Sequence, residues 1–113
     1  MDRTARGIAS AAALSAVLIV RAQARSEMEE AFAWYRARSS TAAADFLVVV
    51  DQALSLIEED PERFPVVHGR LRRMVRQRFP YAVYFKIFPK TISVVGVIHG
   101  HRHPATWQSR AGP

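Results

Sequence analysis

At 113 residues, half of them apolar and 23% charged, the chain has room for one modest hydrophobic core and not for two, and wholesale disorder is excluded. It contains no cysteine, which rules out disulfides, thiolate metal sites and cysteine nucleophiles and agrees with a reducing, cytoplasmic setting. The net charge of +6 hides a segregation: residues 1–62 hold six arginines and ten acids, a net of −4, whereas residues 63–113 hold eight arginines, two lysines and no acid, a net of +10. A half with that field attracts phosphates, nucleic acid or an acidic protein from a distance.

The first residues imitate a secretory signal, with Arg3 and Arg6, the apolar run Ile8 to Val20 and an Ala22-Gln23-Ala24 cleavage-like triplet. Arg21 interrupts that pattern, and the run is too short to span a bilayer. The β-branched Val17, Ile19 and Val20 support a first strand over Ala16 to Ala24 instead. Residues 1–16 are then an extension, disordered or arising from a misassigned start near Val17, and residues 17–110 form a single domain. Ser26-Glu27-Met28-Glu29 has the form of a capping box, so a first helix is expected to start there. Met28, Ala31, Phe32 and Tyr35 place its apolar stripe. Ser39 and Ser40 break the pattern, and Thr41 is in position to cap a second helix over Ala42 to Glu59. Its expected buried side is Ala43, Phe46, Leu47, Val50, Leu54 and Ile57, with Val48 and Val49 off the stripe. The short connection makes the two helices an αα-hairpin.

Beyond the loop from Pro61 to Pro65 the hydrophobic period changes to alternation. Leu71 to Phe79, Tyr81 to Phe88 and Thr91 to His99 are three candidate strands in an antiparallel meander, divided by Pro80 and by Pro89-Lys90. The expected architecture is α+β, in the order β-α-α-β-β-β, an αα-hairpin packed on an antiparallel sheet and followed by a polar tail. Arg72 and Arg73 occupy neighbouring strand positions and so point to opposite faces; one of them is free to meet a target while the other serves the structure. The alternation His99-x-His101-x-His103 has the spacing of a metal site only if the strand continues. Gly100 and Pro104 end it, so no metal and no cofactor are expected.

The order of elements, with Glu30-Ala31-Phe32-Ala33-Trp34-Tyr35, Asp60-Pro61-Glu62-Arg63-Phe64-Pro65, Arg72-Arg73, Arg78-Phe79-Pro80-Tyr81-Ala82-Val83-Tyr84 and His99-Gly100-His101-Arg102 ahead of Pro104 and Trp107, resembles the RelE/ParE toxin superfamily over roughly Val17 to Arg110. That resemblance implies a growth-inhibiting, plasmid-stabilising toxin of a type II toxin–antitoxin module, with no role in a membrane. It also implies a hetero-oligomer with a cognate antitoxin protein that covers the toxin.

The superfamily leaves two targets open: RelE-like members cleave mRNA at the ribosome, and ParE-like members inhibit DNA gyrase. RNA cleavage through the 2′-hydroxyl needs a base, an acid and cations for the phosphorane. Arg76, Arg78 and His99 are the candidates for a metal-independent endoribonuclease. Arg73, Lys86, His101, Arg102 and Trp107 are the candidates for target binding. The mRNA-cleaving branch usually places a tyrosine or histidine after its last strand, and here no tyrosine follows Tyr84. With no carboxylate-supported acid–base pair visible, the residues favour ParE-like binding, with RelE-like cleavage and a degenerate toxin that only binds its antitoxin as alternatives.

Overall fold

A computed structural model describes residues 16–112; the extension expected over residues 1–16 lies outside that range except for Ala16. The elements are β1 (Val17–Val20), α1 (Ala22–Arg36), α2 (Ser40–Glu59), a 3-10 turn (Pro61–Arg63), β2 (Val66–His68), β3 (Leu71–Val75), β4 (Tyr81–Phe88), β5 (Thr91–His99), α3 (Pro104–Gln108) and a closing 3-10 turn (Ser109–Ala111). The α+β class and the αα-hairpin on a sheet are as expected. The sheet has five strands in the order β1-β5-β4-β3-β2. It is mixed: β2 to β5 form the antiparallel meander, while β1 lies against β5 and runs parallel to it. Parallel pairing follows from the hairpin, which carries the chain across one face of the sheet before the meander begins and leaves the edge beside the last strand to β1.

Several boundaries differ from expectation for local reasons. The first strand stops at Val20 instead of Ala24, and α1 begins one turn before the supposed capping box. Arg21 is extended (φ −71°, ψ 160°) without a side-chain cap, and its N–H donates to Val94 O at 2.9 Å. Ala22, Gln23 and Ala24 are good helix formers and continue directly. The box does not form because Ser26 then lies inside the helix and not at its N-terminus; the neighbouring Glu27 carboxylate accepts from the Val97 N–H at 3.0 Å and from Arg110 at 2.9 and 2.8 Å. Ser39, not Thr41, caps α2 by accepting from the Ala42 N–H at 3.1 Å. The buried stripe of α2 is Ala43, Phe46, Val49, Val50, Ala53 and Ile57. Leu47, expected inside, is 47% exposed, and Val49, expected off the stripe, takes the sheet side. By length and apolar composition α2 passes as a membrane span, but its stripe is buried in the domain and Asp45, Asp51, Glu58 and Glu59 lie along it, the make-up of a core helix.

The third candidate boundary also moves. β3 ends at Val75 instead of Phe79, because Phe79 is drawn into an aromatic cluster with Tyr35 (5.1 Å between ring centroids) and Phe46 (5.7 Å). β2, which alternation did not reveal, is three residues long and turns into β3 through Gly69, whose φ of 56° suits glycine. The supposed polar tail folds as α3, entered at Pro104 and capped by His103, which accepts from the Ala105 N–H at 3.0 Å.

Three apolar clusters result. Between helices and sheet lie Ile57, Met74, Val83, Phe85, Ile92, Val94 and Val97; burial of each such side chain is worth about 1.5–3 kcal/mol. At the end of the sheet nearest the α1–α2 turn, Ala31, Phe46 and Val50 pack with Tyr35, Phe79 and Tyr81. On the opposite face of the sheet, Leu71, Ala82, Tyr84 and Ile98 are covered by Trp107 and Ala111. That third cluster exists because β4 alternates apolar residues toward both faces.

Candidate functional site

The register places the candidate residues in three groups. Tyr81 pairs with His99 across β4 and β5, at the same end of the sheet as the turn that carries Arg76 and Arg78 between β3 and β4. The aromatic cluster of Tyr35, Phe46, Phe79 and Tyr81 fills that end. His99 lies on the α1 flank; Arg76 and Arg78 lie on the α2 flank.

On the α1 flank a cleft of about 310 Å³ is bounded by Glu30, Trp34, Tyr81, His99 and Arg102. The Tyr81 and His99 rings meet edge to face at 5.2 Å, and His99 and His101 stack at 5.0 Å. His99 Nδ1 accepts from the His101 N–H at 3.0 Å, and the Gly100 N–H donates to Pro80 O at 2.6 Å, so the turn holds itself in place. Burial pushes the Tyr81 phenol above its ordinary value, Arg102 pulls against that shift, and Glu30 adds to it. Tyr35 is also raised, first by burial and then by Tyr81. Trp34 is 51% exposed, with the Arg38 guanidinium 3.7 Å from its ring centroid.

On the α2 flank Arg78 forms an exposed ion pair with Asp45 at 3.2 Å, and Arg76 lines the same groove. The third group lies on the far face of the sheet, under α3. Trp107 stacks on Tyr84 (5.3 Å, 18°), with the Arg73 guanidinium 5.6 Å from its ring centroid. Lys86 Nζ donates to Ala111 O at 3.3 Å. Arg72 has the structural role foreseen for one of the two neighbours, donating to Glu62 O (3.1 Å) and Phe64 O (2.6 Å). Arg76, Arg78 and His99 therefore share an end of the sheet but not a cleft; His101 and Arg102 join His99; Arg73, Lys86 and Trp107 form a separate patch. His103 is a helix cap.

Sequence reasoning did not find the Glu27–Arg110 pair, whose side chains are 14% and 10% exposed. Beyond Val94 the outer edge of β5 has no strand beside it among the described residues. Glu27 and Arg110 fill that gap, one accepting from the Val97 N–H and the other donating to Val95 O at 3.1 Å. Gly96 makes room, since a Cβ there would come within 2.8 Å of Arg110 Nη1. The signal lay in the helix: once α1 starts at Ala22, Glu27 falls on the same face as buried Ala24 and Ala31, and a carboxylate among buried residues calls for a cation.

A family model, the ParE toxin of the type II toxin–antitoxin system parDE, matches residues 18–104. The chain belongs to the ParE toxin family. Among solved structures, this ParE-family toxin is similar to a chain described as the chromosomal ParDE TA system from P. aeruginosa, with a TM-score of 0.67 and 14% identity, covering 75% of this chain and 96% of that one. At that identity the likeness concerns the fold. No curated protein matches the toxin in sequence.

Proposed function

We propose that this toxin arrests growth by binding a macromolecular target, DNA gyrase in the ParE manner, and that a cognate antitoxin neutralises it in the cytoplasm by covering its cationic surfaces. The observation that carries this reading is the dispersal of the chemistry. Arg76 and Arg78 lie on the α2 flank and Arg73 and Lys86 under α3, whereas His99 faces α1 beside Arg102 with its Nδ1 already accepting a backbone N–H. In-line cleavage of RNA requires cations and an acid–base pair converging on one phosphate; binding a large acidic surface requires only that the cations be presented. In this reading residues 17–110 are the toxin unit and residues 1–16 an extension to it.

A second reading has one observation in its favour: the Tyr81 cleft brings a phenol, an imidazole, a guanidinium and a carboxylate to one place, as an endoribonuclease would need. Purified toxin assayed for inhibition of gyrase supercoiling, and in parallel for mRNA cleavage in a translating extract, separates the two. Inhibition of supercoiling with intact message supports binding; cleaved message with unimpaired supercoiling overturns it.

A further inference from the structure

The cleft on the α1 flank holds two charges of opposite sign that do not meet. Glu30 and Trp34, four residues apart on α1, share the helix face that lines it. Arg102 enters from the turn after β5, where its N–H donates to His99 O at 3.0 Å. Both charges act on the same phenol, Arg102 lowering and Glu30 raising the titration of Tyr81. Yet no ion pair joins them, and neither side chain has a hydrogen-bond partner among the described residues. Glu27, on the same helix face, already holds Arg110, which leaves Glu30 as the carboxylate open to a ligand.

The other walls include the rings of Trp34, Tyr81 and His99. Trp34 is braced by the Arg38 guanidinium 3.7 Å from its centroid and by Tyr35 at right angles, 5.2 Å away. The indole is thus held in place while half of it stays exposed. His99 accepts at Nδ1 from the His101 N–H, and an imidazole that accepts there while neutral carries its proton on Nε2, which remains a donor.

We infer that this cleft binds a single guanine nucleotide, with the base on Trp34, its N1–H and 2-amino group donating to Glu30, and its phosphate at Arg102 and His99. Among the nucleobases guanine alone presents two adjacent donors, which a carboxylate accepts as a pair. Adenine and cytosine set a ring acceptor beside their amine, facing the lone pairs of the carboxylate, and uracil and thymine flank one N–H with carbonyls. A base gains from stacking on an exposed indole, and a guanidinium suits the phosphate. A purely anionic ligand would confront Glu30 and a purely cationic one Arg102, so the pair selects a ligand with donors at one end and negative charge at the other. The volume, about 310 Å³, suits one small ligand. The nucleotide is bound and not cut, since a lone imidazole with one nitrogen already bonded supplies no acid–base pair. The site lies away from Arg76, Arg78 and the face under α3, so it stands or falls independently of the gyrase reading.

The test is calorimetry on the full-length toxin with GMP, AMP, guanosine and a short single-stranded oligonucleotide containing guanine. The wild type is expected to bind GMP about tenfold or more tightly than AMP, and Glu30→Gln is expected to lose that preference. Arg102→Ala is expected to weaken GMP roughly tenfold while leaving guanosine unchanged. Trp34→Ala is expected to weaken GMP and AMP alike, by roughly tenfold. All three side chains are exposed, so the variants are expected to fold, and Arg76→Ala on the α2 flank is expected to bind GMP as the wild type does. An oligonucleotide that binds and is displaced by GMP supports the site with a nucleic acid as the source of its guanine; mononucleotides that bind while the oligonucleotide does not support it with a free nucleotide as the source. GMP that fails to bind at millimolar concentration, equal affinity for GMP and AMP, or wild-type GMP affinity in both Glu30→Gln and Arg102→Ala overturns it.

Discussion

Glu27 ties the C-terminal segment to α1, alongside the Trp107–Tyr84 stack and the Lys86 contact to Ala111 O that hold it on the far face of the sheet. Glu27→Ala leaves the Arg110 guanidinium and the Val97 N–H without their partner in a mostly dry site. The expected loss is about 3 kcal/mol of unfolding free energy in urea titration, and Glu27→Ala/Arg110→Met is expected to be less destabilised than Glu27→Ala alone. Tyr81 and Tyr35 set the alkaline limit. Both phenols are raised in the fold, so the native state favours their protonated forms. Their contribution is complete below the unfolded tyrosine value of about 10 and is lost as pH rises through the higher folded values. Stability measured from pH 8 to 12 is expected to fall only in the alkaline half of that range, and Arg102→Ala is expected to move the Tyr81 absorbance titration upward, because Arg102 opposes the shift. Neither tyrosine was singled out for its ionisation in the sequence, since the cleft that buries Tyr81 is assembled from α1, β4 and β5, three segments far apart along the chain.

At the scale of elements, strongly periodic segments were legible. α2, β4 and β5 follow their hydrophobic patterns to within two residues, because burial on one stripe or in alternation leaves a local trace. The misread segments are those where a distant partner overrides a local motif. Ser26 and Glu29 form no capping box because Arg21 is pinned to β5 and the helix starts right after it, Phe79 leaves β3 for Tyr35, and β2 owes its existence to pairing with β3. The cap of α2 tests the opposite case, a local contact with a local cost. Ser39→Ala is expected to lower stability by about 1 kcal/mol in thermal or urea unfolding without altering growth arrest, and Thr41→Ala, at the residue first expected to cap, is expected to have a smaller effect.

For the whole molecule, the segregation of charge was legible from composition, and it survives folding: the acid-free half supplies β2 to β5 and α3, and its arginines reach the surface at the end of the sheet and along the open β3 edge. What composition did not reveal is how the cations divide. Arg73 and Lys86 are drawn under α3 by Trp107 and Ala111, Arg72 and Arg110 serve the structure, and Arg76, Arg78 and Arg102 remain at the rim. The central claim is that this ParE-family toxin acts by engagement of its target and not by a histidine-driven cleavage. His99→Asn tests it most directly, since the side-chain oxygen of asparagine can take the place of Nδ1 as acceptor for the His101 N–H while the titrating imidazole is removed. Induced without antitoxin, the variant is expected to arrest growth at a dose within about twofold of the wild type. A folded His99→Asn protein whose potency falls by about 100-fold or more, the loss typical of a missing general acid or base, would contradict the claim.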